Sequence, residues 1–332
     1  MYLALLATAL LAGCLLAVQA SVNLQLNAAI KTPYGASTVQ LIVATVLLAI
    51  LAIAVGTIGA LALIPDVTWW HLLGGLASPL YITSGILLFP RLGALAAAGL
   101  FVTGQVFASL ALDLFGLLGV PQQPLTPGIV LGALVVLAGI VAIIGRPKPP
   151  APVPTAAAAE STTSGKSLGA AVKAPAAPSP VAGIGWIALG IVAGAVLPIQ
   201  GAINGRLRAD LEAPITVALF SFIVASITIA IVLLVMLALR RTPRPQFAPL
   251  SRMPWWGWLG GACAAAYVTA TFLLIPEIGA ATTIALTVTG QQLFSALIDH
   301  FGLFRMPRRT PTLRRGIGLV LLIAGSVLVQ LT

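Results

Sequence analysis

Charge is what this sequence has least of. Only 7% of its 332 residues are Asp, Glu, Lys or Arg, against roughly a quarter in an ordinary soluble domain. That deficit excludes a soluble globular protein and a charged disordered tail. The two cysteines, Cys14 and Cys263, lie inside apolar runs. They exclude a disulfide scaffold and read as buried hydrophobes. The two histidines, His71 and His300, belong to no Cys/His/acid cluster at ligand spacing, so no metal site is expected. No Gly-rich phosphate loop, nucleophile motif or pair of buried carboxylates stands out. The expectation is neither an ATP-driven pump nor an enzyme, and no cofactor.

What the chain has is apolar surface. Hydrophobic residues make up 59% of it and the mean hydropathy is +1.09. Ten apolar runs, each near the ~20 residues that cross a bilayer, fall at 3–28, 36–64, 69–89, 93–115, 127–145, 183–205, 214–239, 255–275, 279–301 and 314–331. They are long and unbroken, not alternating, which predicts helices and not a barrel. The net charge of +10 would suggest nucleic acid in a soluble chain. Here the basic residues sit in short loops between apolar runs, so the charge reads as membrane topology and no nucleic-acid partner is expected. Residues 146–180 hold eight prolines, many alanines and a Ser/Thr/Gly patch, a composition that reads as a flexible tether.

The amino terminus carries two patterns that resemble processing sites, Leu11-Ala12-Gly13-Cys14 and Val18-Gln19-Ala20. A cleaved signal begins with a positive stretch, and here no Lys or Arg precedes Lys31. The expectation is a retained first helix.

The two sides of the tether match. At an offset of 181, Gln19 pairs with Gln200, Asn23 with Asn204, Leu26 with Leu207 and Pro33 with Pro214. At an offset of 186, Trp69-Trp70 pairs with Trp255-Trp256, Gly74-Gly75 with Gly260-Gly261, Tyr81 with Tyr267 and Thr83 with Thr269. On the same register Thr103-Gly104-Gln105 pairs with Thr289-Gly290-Gln291, and Asp113 with Asp299. This is an internal repeat of five helices, with units 1–145 and 181–332.

Five is odd, so the second unit enters the membrane inverted. Assigning alternate loops to opposite faces puts 15 of the 17 Lys and Arg on one side, leaving Arg206 and Arg208 on the other. The positive-inside rule makes the rich side cytoplasmic. Both termini then face outward and the tether is cytoplasmic. The fold expected is an all-α integral membrane protein, ten transmembrane helices as a 5+5 inverted-topology repeat. Inverted halves meeting at the midplane are a common plan for secondary transporters.

The twice-occurring pattern Gln-x-x-x-Asn-x-x-Leu carries part of a family likeness. The rest comes from Trp-Trp-x-Leu-x-Gly-Gly, Tyr-x-Thr, Pro-x-x-Gly-Ala, Gly-Gln and Asp-x-Phe-Gly-Leu. The chain resembles the YdcZ-type branch of the drug/metabolite transporter superfamily, as two five-helix units fused through 146–180. The resemblance implies an exporter of the bacterial inner membrane. Small multidrug resistance relatives couple export to protons through a first-helix glutamate. The comparable positions here are Gln19 and Gln200, which do not titrate.

The candidate substrate-binding residues are the polar groups within the apolar runs. Gln19 and Asn23, like Gln200 and Asn204, sit four apart on one helix face and read either as interhelical glue or as a substrate-facing pair. Tyr81, Thr83, Tyr267 and Thr269 offer rings and hydroxyls. Gln105 and Gln291 follow mid-helix glycines that allow close helix approach. Asp113 and Asp299 lie at opposite faces, each before a Gly that ends its helix, and read either as solvated helix ends or as alternating gate ion pairs, with Arg206 or Arg208 within reach of Asp113. The function expected is export of a small, neutral, zwitterionic or weakly charged molecule by alternating access, with a single chain able to work as a monomer. A passive channel and a non-transporting membrane scaffold are the alternatives.

Overall fold

In lipid, unbroken apolar runs can satisfy their backbone N–H and C=O groups only by closing into helices. The computed structural model describes residues 2–122, 124–144, 180–278, 280–309 and 312–331. Among these it contains ten α-helices and no strand. The first five are α1 (Tyr2–Ile30), α2 (Pro33–Ala54), α3 (Ser78–Leu92), α4 (Ala94–Phe115) and α5 (Pro127–Ile144). The second five are α6 (Pro180–Leu211), α7 (Pro214–Ala238), α8 (Leu259–Ile278), α9 (Ala280–Phe301) and α10 (Leu313–Leu331). The tether expected at 146–180 lies outside the described residues except for Pro180.

The local signals repeat with the sequence. Pro33 and Pro214 open α2 and α7, where a missing N–H costs nothing. Gly116 (φ 60°) and Gly302 (φ 67°) end α4 and α9 in the left-handed conformation, as helix stops require. One apolar run behaves differently from its periodicity. The run 36–64 is not one helix: α2 stops at Ala54, Gly56 takes φ 78°, and Ile58–Asp66 follows as a 3₁₀ segment containing Pro65. Apolarity continues through a break that the left-handed Gly56 makes.

Seven helical segments among the described residues are long and apolar enough to cross a membrane: α1, α2, α4, α5, α6, α7, and a 24-residue stretch joining the 3₁₀ turn Trp69–Leu76 to α3. Their repeat mates α8, α9 and α10 pack in equivalent places. α1 lies against α8 and α9, while α6 lies against α3 and α4. Each unit therefore lends its first helix to the other. α2 packs on α7 and α5 packs on α10, as equivalent elements do at a two-fold axis.

The axis can be read from residue pairs. Thr45 and Ser226, equivalent at the offset of 181, meet side chain to side chain at 3.0 Å. On α5 and α10, Gly132 faces Gly325 and Gly139 faces Gly318. Gly318 is the repeat mate of Gly132, and Gly325 that of Gly139. The two helices thus cross antiparallel with the same small-residue seam, which lets their backbones approach where packing is the main adhesive. The ten helices form a 5+5 inverted repeat.

Candidate functional site

Helix α1 carries Gln19 and Asn23, and α6 carries their repeat mates Gln200 and Asn204. All four side chains are buried, and a buried amide needs partners. Asn23 donates from Nδ2 to Gln40 Oε1 at 2.9 Å, and Asn204 donates from Nδ2 to Ser221 Oγ at 3.1 Å. Gln40 and Ser221 are themselves repeat mates on α2 and α7. Each Asn Oδ1 fits against a glycine, Gly260 for Asn23 and Gly74 for Asn204, where any Cβ would overlap it. Each asparagine thus hydrogen-bonds within its own unit and packs its Oδ1, which has no hydrogen-bond partner, against a glycine of the other.

The glutamines differ from the asparagines. Gln19 and Gln200 line one small cavity of ≈ 40 Å³ together with Tyr81, Tyr267, Ser78 and Ala264. Apolar groups such as Leu16, Leu197 and Phe222 complete its walls, and none of its lining residues is charged. Residues from both units thus converge on one chamber. Gln200 is fully engaged: the Ser78 hydroxyl lies 3.1 Å from its Oε1 and 3.0 Å from its Nε2, and Nε2 also reaches Ser221 Oγ at 3.4 Å. Gln19 is 4% exposed, and its Oε1 has no hydrogen-bond partner.

The remaining predicted residues surround the chamber or lie apart from it. Tyr81 packs its ring on Phe101, centroid to centroid 4.8 Å, and its hydroxyl accepts a hydrogen bond from Gln291 Nε2 at 3.1 Å. Gln105, the mate of Gln291, has a buried Nε2 without a partner. Thr83 pairs with Ser37 at 3.0 Å, whereas the Thr269 hydroxyl is buried and unpaired. Gly104 and Gly290 sit in backbone-to-backbone contact with α6 and α1, the close approach expected of mid-helix glycines.

The two acids are also placed unequally. Asp299 is 3% exposed, and its carboxylate accepts hydrogen bonds from the backbone N–H groups of Ala94 (2.8 Å) and Leu95 (3.2 Å). It caps the start of α4, where free N–H groups and the helix dipole favour an anion. Arg309 lies alongside, donating its guanidinium to the Arg91 carbonyl and its backbone N–H to the Asp299 carbonyl. Asp113 is half-buried at the other end of α4. Arg206, expected within its reach, donates instead to the carbonyls of Leu118 and Gly119. Elsewhere, His71 Nδ1 meets the Asp210 carboxylate.

Three partners at this site escape a reading by polarity alone: Ser78, Gln40 and Ser221. Small hydroxyls in apolar runs are common, so none stands out singly. The repeat register holds the signal, because Ser78 aligns with Ala264 and Gln40 with Ser221. These are the positions where the copies differ around matched amides.

The family described as "Putative inner membrane exporter, YdcZ" matches residues 4–142 and 185–328. One solved structure, described only as "Crystal structure of protein", is similar over 98% of this chain and 94% of that one, at 19% identity and a TM-score of 0.53. That likeness concerns the fold alone. No curated protein matches.

Proposed function

The chain belongs to the YdcZ family of drug/metabolite transporters, and from that premise we propose that it is a secondary transporter exporting a small organic molecule by alternating access. One observation carries the reading: a single uncharged chamber lined by Gln19, Tyr81, Gln200 and Tyr267, two residues from each inverted unit. Substrate sites of inverted-repeat carriers lie where the repeats meet.

In this reading the units 1–145 and 181–332 are the two moving bodies, joined by 146–180 as a cytoplasmic tether. Gln19, Gln200, Tyr81 and Tyr267 line the substrate chamber. Asn23, Asn204, Thr83, Gln105, Thr269 and Gln291 form the polar shell behind them. Asp299 and Asp113 are the gates at opposite faces. The inequality of the two copies supports this. Gln291 holds Tyr81 while Gln105 Nε2 lacks a partner, and Asp299 holds the α4 start while Asp113 sits half-buried. A carrier in one end state breaks its own symmetry in this way.

The protein resides in the bacterial inner membrane with both termini outside, and one chain suffices, since each unit already has its inverted partner. Proteoliposomes test the mechanism. A carrier gives saturable uptake and counterflow, in which unlabelled solute inside drives labelled solute inward. Flux that rises linearly without counterflow would establish a channel instead. Single cysteines near each terminus, labelled by impermeant maleimide on intact cells, test the orientation.

A further inference from the structure

The repeat is broken at the position that decides which glutamine is free. In the second unit, Gln200 is satisfied by Ser78 and Ser221. Under the repeat operation these partners become Ala264 and Gln40 around Gln19. Ala264 has no hydroxyl, and Gln40 spends its amide on Asn23 (2.9 Å) and the Gly260 carbonyl (3.5 Å). Gln19 lines the chamber, and its Oε1 is left buried without a partner. An amide oxygen in that state is destabilising unless something donates to it.

We propose that this oxygen is the recognition point for substrate, and that the substrate is an uncharged amphiphile presenting an N–H or O–H donor, of which a primary carboxamide or urea is the type. The inference rests on the chamber assigned above and deepens that assignment. The donor docks on Gln19 Oε1. The apolar body lies against Leu16, Leu197 and Phe222, with the Tyr81 and Tyr267 rings in the same wall. A fixed cation or anion is disfavoured because no lining residue is charged and desolvating an unpaired ion is expensive. The site is thus functionally asymmetric: Gln19 binds, and Gln200 holds the units together.

The test uses the full chain purified in detergent and a matched pair of probes, benzamide and N,N-dimethylbenzamide. The pair shares ring and carbonyl and differs in N–H donors. Benzyltrimethylammonium serves as the cationic comparator. Titration calorimetry is expected to show benzamide binding about tenfold more tightly than its dimethyl derivative, the worth of one hydrogen bond. Ala264→Ser places a hydroxyl against Gln19 as Ser78 stands against Gln200, and is expected to remove that tenfold preference. Gln19→Leu gives the same loss by a second route, should Ala264→Ser fail to fold. Equal binding of the two amides, tightest binding of the cation, no binding of any probe, or a preference that survives both Ala264→Ser and Gln19→Leu would overturn the proposal. Counterflow decides the transport reading separately. A donor-dependent probe that binds without flux would remove transport and leave the recognition point standing.

Discussion

Replacing Gly104 by alanine measures how tightly the exchanged helices are seated. Gly104 lies on α4 against α6. A Cβ there would sit 2.8 Å from the Ala195 backbone nitrogen and 2.9 Å from the Ile191 carbonyl carbon, and would overlap the Ile191 oxygen outright. Carbon contacts are comfortable at about 3.5 Å, so the helices must part by about 1 Å. The obstacle is backbone, which no rotamer change can move aside. Overpacking costs typically 1–3 kcal/mol, and this site belongs at the upper end. Gly201→Ala is the control. It lies in α6, where a Cβ meets nothing within 4 Å, and alanine is worth about 0.5–1 kcal/mol more than glycine in a helix. The two substitutions should therefore differ by about 3 kcal/mol, or roughly 6–12 °C in melting temperature at the scale for larger domains. Thermal unfolding monitored by size-exclusion chromatography in detergent reads this directly. The repeat adds a second demand: Gly290→Ala, facing Leu10 and Cys14 on α1, should cost about as much as Gly104→Ala. Equal melting points for Gly104→Ala and Gly201→Ala would refute the exchanged packing of α4 on α6.

Gln200→Ala should lower stability by about 1–2 kcal/mol, because Ser78 and Ser221 lose their partner, while Gln19→Ala leaves the melting point almost unchanged and abolishes substrate-dependent stabilisation; differential scanning fluorimetry separates the two. Asp299→Ala should cost about 1–3 kcal/mol by orphaning the N–H groups of Ala94 and Leu95, with Asp299→Asn costing less, and both should slow counterflow; unchanged flux at unchanged protein level would remove Asp299 from the gate. Thr45→Val should cost about 0.6 kcal/mol and no more than about 1.7 kcal/mol, the mean and maximum for hydrogen bonds between membrane helices, in chemical unfolding from mixed micelles. Exchanging His71 for alanine breaks the pair with Asp210, whose side chain is one-third exposed, and should change stability by less than about 1 kcal/mol.

The fold was legible because membrane helices write themselves plainly. Lipid removes the option of leaving backbone groups to water, so an apolar run of sufficient length is a helix. Matched positions such as Trp69-Trp70 and Trp255-Trp256 exposed the duplication without reference to any contact. Legibility failed where a local backbone angle overrode composition, as at Gly56, which divides an apolar run into α2 and a 3₁₀ turn. Charge likewise does not locate Arg206, whose guanidinium lies on the carbonyls of Leu118 and Gly119. Charge sign is written in a sequence, whereas the nearest acceptor is a matter of distance.

The sequence by itself determined the solvent, the helices, the duplication and its inversion, since apolarity, period, register and loop charge are all properties of residues in order. It also held the polar candidates, among them Gln19 and Gln200 as an identical pair. Only the tertiary structure decided that α1 and α6 exchange places between units, and that the two glutamines are unequal. That inequality depends on Ser78 and Ala264, which come from α3 and α8 and meet the glutamines across the interface between units. Hydrogen-bond satisfaction is set by atoms within about 3 Å, and which atoms those are is settled by packing.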